Sequence, residues 1–64
     1  MFNSLKGIIT AKLPQNLLLE TGGIEWDISV PDTTLDSLPV VGETAKIYTW
    51  LQHREDSTKL FGFY

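Results

Sequence analysis

Strict alternation of apolar and polar side chains over residues 24–30 constrains the fold of this chain more than any other sequence feature. The apolar positions are Ile24, Trp26, Ile28 and Val30. Because successive side chains of a strand point to opposite faces, this segment is predicted to be a β-strand with one face on a core, and Trp26 is expected in that core. Gly22-Gly23 favours a tight hairpin just before it, which makes the apolar run at 17–21 its partner strand.

Three further segments are predicted to be strands. Residues 4–12 are rich in Ile and Leu and contain Gly7, where a bend or β-bulge is expected. Residues 44–52 alternate and are rich in β-branched and aromatic side chains. Residues 59–64 complete the set as a fifth strand.

A short helical turn is predicted between the third and fourth strands. Residues 32–38 combine capping side chains with Leu35 and Leu38 three positions apart, and Pro39 follows. This order predicts an all-β chain, a five-stranded Greek-key OB-fold barrel formed by residues 1–64 as a single domain. An SH3-like barrel alternates in the same way, so periodicity alone leaves it open, although the helical turn favours the OB-fold.

Composition limits how the fold is stabilised and what it binds. The 64 residues include no cysteine and one histidine, so stability is expected to depend on packing, without disulfides or a structural metal. Eight acidic and five dispersed basic residues give a net charge of −3, which argues against a stand-alone nucleic-acid-binding domain. No secretory leader or membrane-spanning stretch is recognised, so a soluble, cytoplasmic protein is expected.

The candidate functional residues lie in the charged turn predicted between strands four and five. Glu55 and Asp56 would place two adjacent carboxylates at the tip of a hairpin, directly after Arg54. Taken alone, such a turn is most often just solvated. His53 has no accompanying nucleophile, metal-ligand spacing or glycine-rich phosphate loop, so no catalytic, metal or cofactor site is expected and the chain is not predicted to be an enzyme.

Tryptophan side chains raise the possibility of base stacking, as in many OB-folds. Trp26 is assigned to the core by the alternation of its strand. Trp50 is out of phase with the apolar positions of its own strand, so it can be exposed, part of a subunit interface, or core if the strand bulges.

A set of motifs spread along the whole chain carries a family resemblance. They are Leu5-Lys6-Gly7-Ile8-Ile9, Glu20 with Gly22-Gly23, Pro31 with Thr33-Thr34, Leu38-Pro39, Gly42, Arg54-Glu55-Asp56 and Leu60-Phe61-Gly62-Phe63. In their joint spacing the chain resembles the N-terminal domain of RuvA, the subunit of a bacterial branch-migration machine that binds Holliday junctions.

The resemblance implies an OB-fold domain at the centre of a RuvA homotetramer on four-way junction DNA, acting in recombination and DNA repair. It implies a longer polypeptide, with a helix-hairpin-helix domain and a domain that recruits the RuvB motor following this one, and RuvC resolvase as a partner of the full complex. Glu55 and Asp56 correspond to the family's acidic pin. From its charge, Arg54 directly before them is expected to contact a phosphate or a neighbouring subunit. RuvB supplies the ATPase, so this subunit is expected to be non-catalytic, with no cofactor, small-molecule substrate or membrane partner.

A different class of function stays open beside the resemblance. The chain can instead be a stand-alone protein-interaction barrel whose acidic surface binds a basic partner. Two helix-hairpin-helix repeats encoded beyond Tyr64 would support the first hypothesis, and a stop codon there would support the second.

Overall fold

A computed structural model describes residues 2–55 and 57–64 of the chain. Its elements, in order, are β1 Phe2–Leu13, β2 Asn16–Thr21, β3 Ile24–Ser29, α1 Asp32–Ser37, β4 Thr44–His53 and β5 Thr58–Phe63. The strands form a closed barrel in the order β1-β2-β3-β5-β4. The predicted five-stranded barrel with a helical turn between its third and fourth strands is therefore confirmed. No helix in the described part of the chain is long and apolar enough to span a membrane.

Strand β1 is long because it pairs with two neighbours. Its first part pairs antiparallel with β4, from Phe2 opposite Trp50 to Ile8 opposite Thr44. Its second part pairs antiparallel with β2. A parallel contact between β3 and β5, at Ser29 and Phe61, closes the barrel. The sheet is consequently mixed.

The irregularity in β1 does not lie where it was predicted. Gly7 pairs regularly with Ala45 of β4, whereas the register of β1 against β2 shifts between Ile9 and Ala11. The prediction of a bulge at Gly7 is therefore wrong. Position 7 needs glycine for another reason, since the main chain of Glu20 leaves no room for a β-carbon there.

The predicted turn at Gly22-Gly23 is present. Gly22 and Gly23 have φ angles of 60° and 84°, in the left-handed region that glycine adopts at little steric cost. Gln15, in the turn between β1 and β2, has a φ of 60°. Its backbone N–H donates to Oδ1 of Asp32 at 3.0 Å, and its carbonyl accepts from the N–H of Val30 at 3.1 Å. The β1–β2 turn is thereby tied to the start of α1.

The core lies inside the barrel and under the helix. Its buried apolar members are Ile9, Leu17, Leu19, Ile28, Val30, Leu35, Leu38, Ala45 and Ile47. Leu35 and Leu38 come from α1 and the residue after it, so the helical turn closes one end of the barrel. Each fully buried Leu or Ile side chain contributes roughly 1.5–3 kcal/mol relative to exposure.

Lys12 anchors the end of that helix. Its Nζ donates hydrogen bonds to the main-chain oxygens of Leu35, at 3.2 Å, and Leu38, at 3.1 Å. The last carbonyl groups of a helix lack partners within it, and a positive charge is favourable at that end. A side chain from β1 therefore stabilises the element that closes the barrel.

Trp26 is not in the core, contrary to the prediction. It pairs with the buried Leu19 and so belongs to the inner side of the barrel, but its side chain is 37% exposed. Leu51, also on the inner side, is 41% exposed. Both residues lie toward the end of the barrel opposite α1. The alternation identified the correct face of β3, but only the helix-covered end of the barrel buries that face.

Candidate functional site at the β4–β5 hairpin

The β4–β5 hairpin carries the residues that the sequence singled out. Its ladder is regular up to the pair of His53 and Thr58. Beyond that pair, the N–H of Arg54 donates to the carbonyl of Ser57 at 2.7 Å, and the N–H of Ser57 donates to the carbonyl of Arg54 at 3.3 Å. These two backbone hydrogen bonds therefore join the two sides of the hairpin at the base of the turn.

His53 contributes to this turn through its side chain. Its Nδ1 lies 2.7 Å from Oγ1 of Thr58, within hydrogen-bonding distance across the hairpin. No group of three or more His, Cys, Asp or Glu side chains suited to holding a metal occurs among the described residues. The structure thus gives His53 a contact that supports the hairpin.

The three predicted site residues are placed as follows. Arg54 and Glu55 are both exposed, and Glu55 lies at the tip of the turn. Asp56, the second predicted carboxylate, lies outside the described residues. The structure therefore places one carboxylate and one guanidinium group next to each other in sequence at a solvent-facing tip.

A shallow groove follows the turn and the adjoining part of the hairpin. It has a volume of about 240 Å³ and is lined by Gln52, Arg54, Ser57, Lys59 and Phe61. Two of these five side chains are cationic, so positive charge lies directly beside the tip that carries Glu55. Lys59 is not among the site residues predicted from the sequence, although pairing of the two strands places it opposite Gln52.

Aromatic side chains occupy the outer face of the same hairpin. Trp50 pairs with Phe61, with their ring centroids 6.0 Å apart, and Tyr48 pairs with Phe63. Trp50 is 41% exposed in a strand that is regular at that position. Of the alternatives left open for Trp50, the core position in a bulged strand is therefore wrong. A role in a subunit interface stays a prediction.

The open end of the barrel forms a second groove. It has a volume of about 370 Å³, and its lining residues are Asn3, Ser4, Leu5, Trp26, Thr49, Leu51 and Leu60. Leu51 and Leu60 are cross-strand partners in the hairpin. The hairpin thus extends from the open rim of the barrel, at the end opposite α1.

Strand register also brings together charged residues that are far apart in the sequence. Lys6 of β1 lies directly opposite Lys46 of β4, and Glu20 of β2 lies directly opposite Glu25 of β3. In the sequence the five basic residues are dispersed. These pairs could be predicted only from the register of the barrel strands, and the alternation of apolar and polar residues does not determine that register.

A closed OB-fold barrel with an exposed, charged β4–β5 hairpin defines the structural class of this protein. Residues 1–62 match the family model described as the RuvA N terminal domain. The chain belongs to this family.

Two relatives agree with this assignment. The chain is 51% identical over 63 residues to the Holliday junction branch migration complex subunit RuvA of Treponema denticola, covering 98% of this chain and 31% of that protein. It is 44% identical over 64 residues to the protein of the same name from Pseudomonas syringae pv. syringae, covering 100% of this chain and 32% of that protein. The chain therefore spans about a third of the length of these relatives.

Proposed function

We propose that this chain is the N-terminal domain of a RuvA-type subunit acting on four-way junction DNA, and that its β4–β5 hairpin keeps DNA strands apart at the crossover. The observation that carries the proposal is the position of Glu55. It lies at the exposed tip of a hydrogen-bonded hairpin, in a chain whose residues 1–62 match the family.

Repulsion between carboxylates and phosphates is the physical basis of the proposed action. Two unit charges about 4 Å apart interact by about 1 kcal/mol in water and by about 4 kcal/mol near a protein surface. Glu55 and Asp56 would therefore oppose close approach of DNA backbones to the tip. The side chain of Arg54 would partly offset this effect by contacting a phosphate or a neighbouring subunit.

The supporting geometry is the stiffness of the hairpin below the tip. Two backbone hydrogen bonds join Arg54 and Ser57, and the side chains of His53 and Thr58 meet one pair further down. A charge on a flexible loop would move away from an approaching phosphate, whereas a charge on a paired hairpin holds its position. The proposed action is steering of strands, without bond making or breaking.

The proposed assembly is the bacterial, cytoplasmic branch-migration complex. Four copies of the chain in a homotetramer would bring four hairpins to one junction. The motor would be RuvB, with its ATPase, and RuvC would act on the same complex as resolvase. The chain itself would be a non-catalytic subunit without a cofactor.

A chimera tests the role of the tip. The part of the Treponema denticola relative that aligns with this chain is replaced by this chain, and Glu55→Gln with Asp56→Asn is introduced. We expect four-way junction binding to be unchanged or tighter, because repulsion is removed, and the rate of RuvB-driven branch migration to change. Loss of junction binding would instead show that the two carboxylates have a structural role.

The control for this experiment removes the same number of charges elsewhere. Asp36 and Glu43 are exposed and lie outside the hairpin. Asp36→Asn with Glu43→Gln should leave both junction binding and branch migration at the level of the unsubstituted chimera. An equal effect of both double variants would assign the result to net charge and contradict a specific role of the tip.

Exposed aromatic side chains favour a second candidate, a protein-interaction barrel. Tyr48 is 50% exposed and Trp50 is 41% exposed on one outer face, and aromatic residues are enriched in protein interfaces. The coding sequence separates the candidates: helix-hairpin-helix repeats after Tyr64 support the junction function, and a stop codon there supports the second.

A further inference from the structure

Lys59 lies where three grooves of the barrel surface meet. Besides the groove beside the β4–β5 turn, Lys59 and Phe61 line a second groove of about 420 Å³, which extends to Gln15 in the β1–β2 turn. A third groove of about 350 Å³ is lined by Lys59 together with Asp27 of β3 and Thr58 of β5. Because they share Lys59, the three grooves adjoin one another. We call their combined surface the seam groove.

The seam groove lies where the barrel closes through little backbone pairing. Among the described residues, β3 and β5 pair only at Ser29 and Phe61, whereas β5 pairs with β4 along its whole length. A strand edge without a partner presents its backbone N–H and C=O groups to the space beside it. These backbone groups add to the polar side chains of Asn16 and Ser29, which also line the groove. The groove therefore suits a polar ligand.

Positive charge in the seam groove is available to such a ligand. Arg54 and Lys59 line it and are exposed, and among the residues that the structure describes neither side chain has a hydrogen bond or an ion pair. The carboxylate of Asp27 accepts a hydrogen bond from Nδ2 of Asn16 at 2.7 Å. Two cations and this one carboxylate, among the described lining residues, leave an excess of positive charge in a chain whose net charge is −3.

We propose that the seam groove holds the backbone of one separated DNA strand, with its phosphates against Lys59 and Arg54. This inference rests on the proposed function, in which the neighbouring tip keeps strands apart. Hydrogen bonds between a cationic side chain and a phosphate are roughly twice as strong as neutral ones. Gln52, directly opposite Lys59 in the hairpin, adds an amide that donates to phosphate oxygens. The hairpin then has two actions, because its tip repels phosphates and its flank attracts them.

Phe61 indicates that the ligand is a single strand and not a duplex. It lies two positions from Lys59 on the same side of β5, and its ring centroid is 6.0 Å from that of Trp50. Aromatic rings stack on the flat faces of bases in single-stranded nucleic acid. A duplex presents phosphates to Lys59 but keeps its paired bases away from Phe61. A cation and a ring on one side of a strand therefore fit a ligand whose phosphates and bases are both accessible.

NMR titration of the 64-residue chain with a thymidine oligonucleotide of about 12 nucleotides gives the first test. We expect amide shifts at Ser29, Ser57, Lys59 and Phe61, with a Kd near about 1 mM at low salt because two cations are few. Binding this weak is visible by NMR and dissociates in a gel. The same strand annealed to its complement, and inorganic phosphate, should shift these amides less. Equal shifts with the duplex or with phosphate, or no shifts in the groove, would overturn the proposal.

Substitution of Lys59 gives the second test. Lys59→Gln should weaken binding of the oligonucleotide severalfold and lower the slope of log K against log salt by about 0.7, the contribution of one phosphate contact in a single strand. Lys59→Arg keeps the charge and should keep the slope. Lys46→Gln removes the same charge from an exposed position of β4 outside the groove and should bind as the unsubstituted chain does. Equal losses in the two glutamine variants would assign the effect to net charge and overturn the proposal.

The tip variant separates this inference from the proposed function. In the same titration, Glu55→Gln with Asp56→Asn should bind the oligonucleotide as tightly as the unsubstituted chain or more tightly, because carboxylates near the groove oppose phosphates. Loss of binding in this variant would place the ligand at the tip and overturn the proposal. The oligonucleotide can fail to bind while the chimera shows that the tip controls branch migration, and the chimera experiment can fail while the groove binds a strand.

Discussion

The α-carbon of Gly7 lies so close to the carbonyl group of Glu20 that a β-carbon at position 7 would overlap the carbonyl oxygen. This contact is found where β1 passes from pairing with β4 to pairing with β2. A main-chain carbonyl within a strand cannot rotate away as the end of a flexible side chain can. The contact therefore requires glycine at position 7 if β1 is to pair with both β4 and β2.

Gly7→Ala should destabilise the chain. Forcing a β-carbon against the backbone of β2 requires a shift of one strand, and insertion of atoms into a packed region costs about 1–3 kcal/mol or more. Urea denaturation followed by tryptophan fluorescence measures the free energy of unfolding. Ser4→Ala, at an exposed position of the same strand, is the control and should change it by less than about 0.5 kcal/mol. Equal stability of the two variants would contradict this account of Gly7.

Lys12→Met should also reduce the free energy of unfolding. The substitution keeps an apolar stem but removes the ammonium group that binds the carbonyls of Leu35 and Leu38. Hydrogen bonds to charged groups contribute about 1.5–3 kcal/mol, and the partial exposure of this site places the expected loss at the lower end of that range. Lys6→Met, at an exposed position of the same strand, provides the comparison. An equal effect of the two changes would show that Lys12 does not anchor α1.

Thr58→Val should loosen the β4–β5 hairpin while leaving the rest of the barrel intact. The change preserves the side-chain shape and removes the oxygen that lies 2.7 Å from Nδ1 of His53. We expect faster hydrogen exchange of the Arg54 and Ser57 amides, which close the turn. NMR-detected hydrogen exchange gives the rates, with Thr44→Val at the start of β4 as the matched control. Unchanged hydrogen exchange at both amides would show that the contact between His53 and Thr58 does not stiffen the hairpin.

The 64-residue chain alone should bind four-way junction DNA only weakly. Its net charge is −3, and its lysines and arginine include Lys12, whose ammonium group is engaged by carbonyls of the helix end. Phosphate binding depends on concentrated cationic groups and weakens with added salt. Gel-shift titrations over a range of salt concentrations provide the measurement. A strong, salt-dependent shift with the chain alone would contradict the expectation, drawn from its net charge, that this chain is not a stand-alone nucleic-acid-binding domain.

The succession of five strands and the helical turn could be predicted from the sequence because each element depends on local chemistry. Gly22 and Gly23 specified a turn, the alternation of residues 24–30 specified a strand, and Pro39 ended the helical turn. The burial of Trp26 could not be predicted in the same way. Alternation reports which face of the sheet a residue occupies, whereas burial also depends on how far along the barrel the helix reaches.

Register was the second quantity that local patterns did not supply. Glycine in a strand predicts a bend or a bulge at Gly7, but the shift in register between β1 and β2 lies between Ile9 and Ala11. Because the register of β1 against β4 was not known from the sequence, the pairing of Lys6 with Lys46, 40 positions apart, could not be predicted. Both cases concern the register between two paired strands, which the pattern within one strand does not determine.

The separation between the helix-covered end of the barrel and the hairpin at its opposite rim has an evolutionary consequence. Arg54 and Glu55 are exposed and do not belong to the core cluster of the barrel. Mutations at the tip can therefore alter its charge with little effect on folding. Lineages can diversify this hairpin by single substitutions, while the barrel that supports it remains under separate selection for stability.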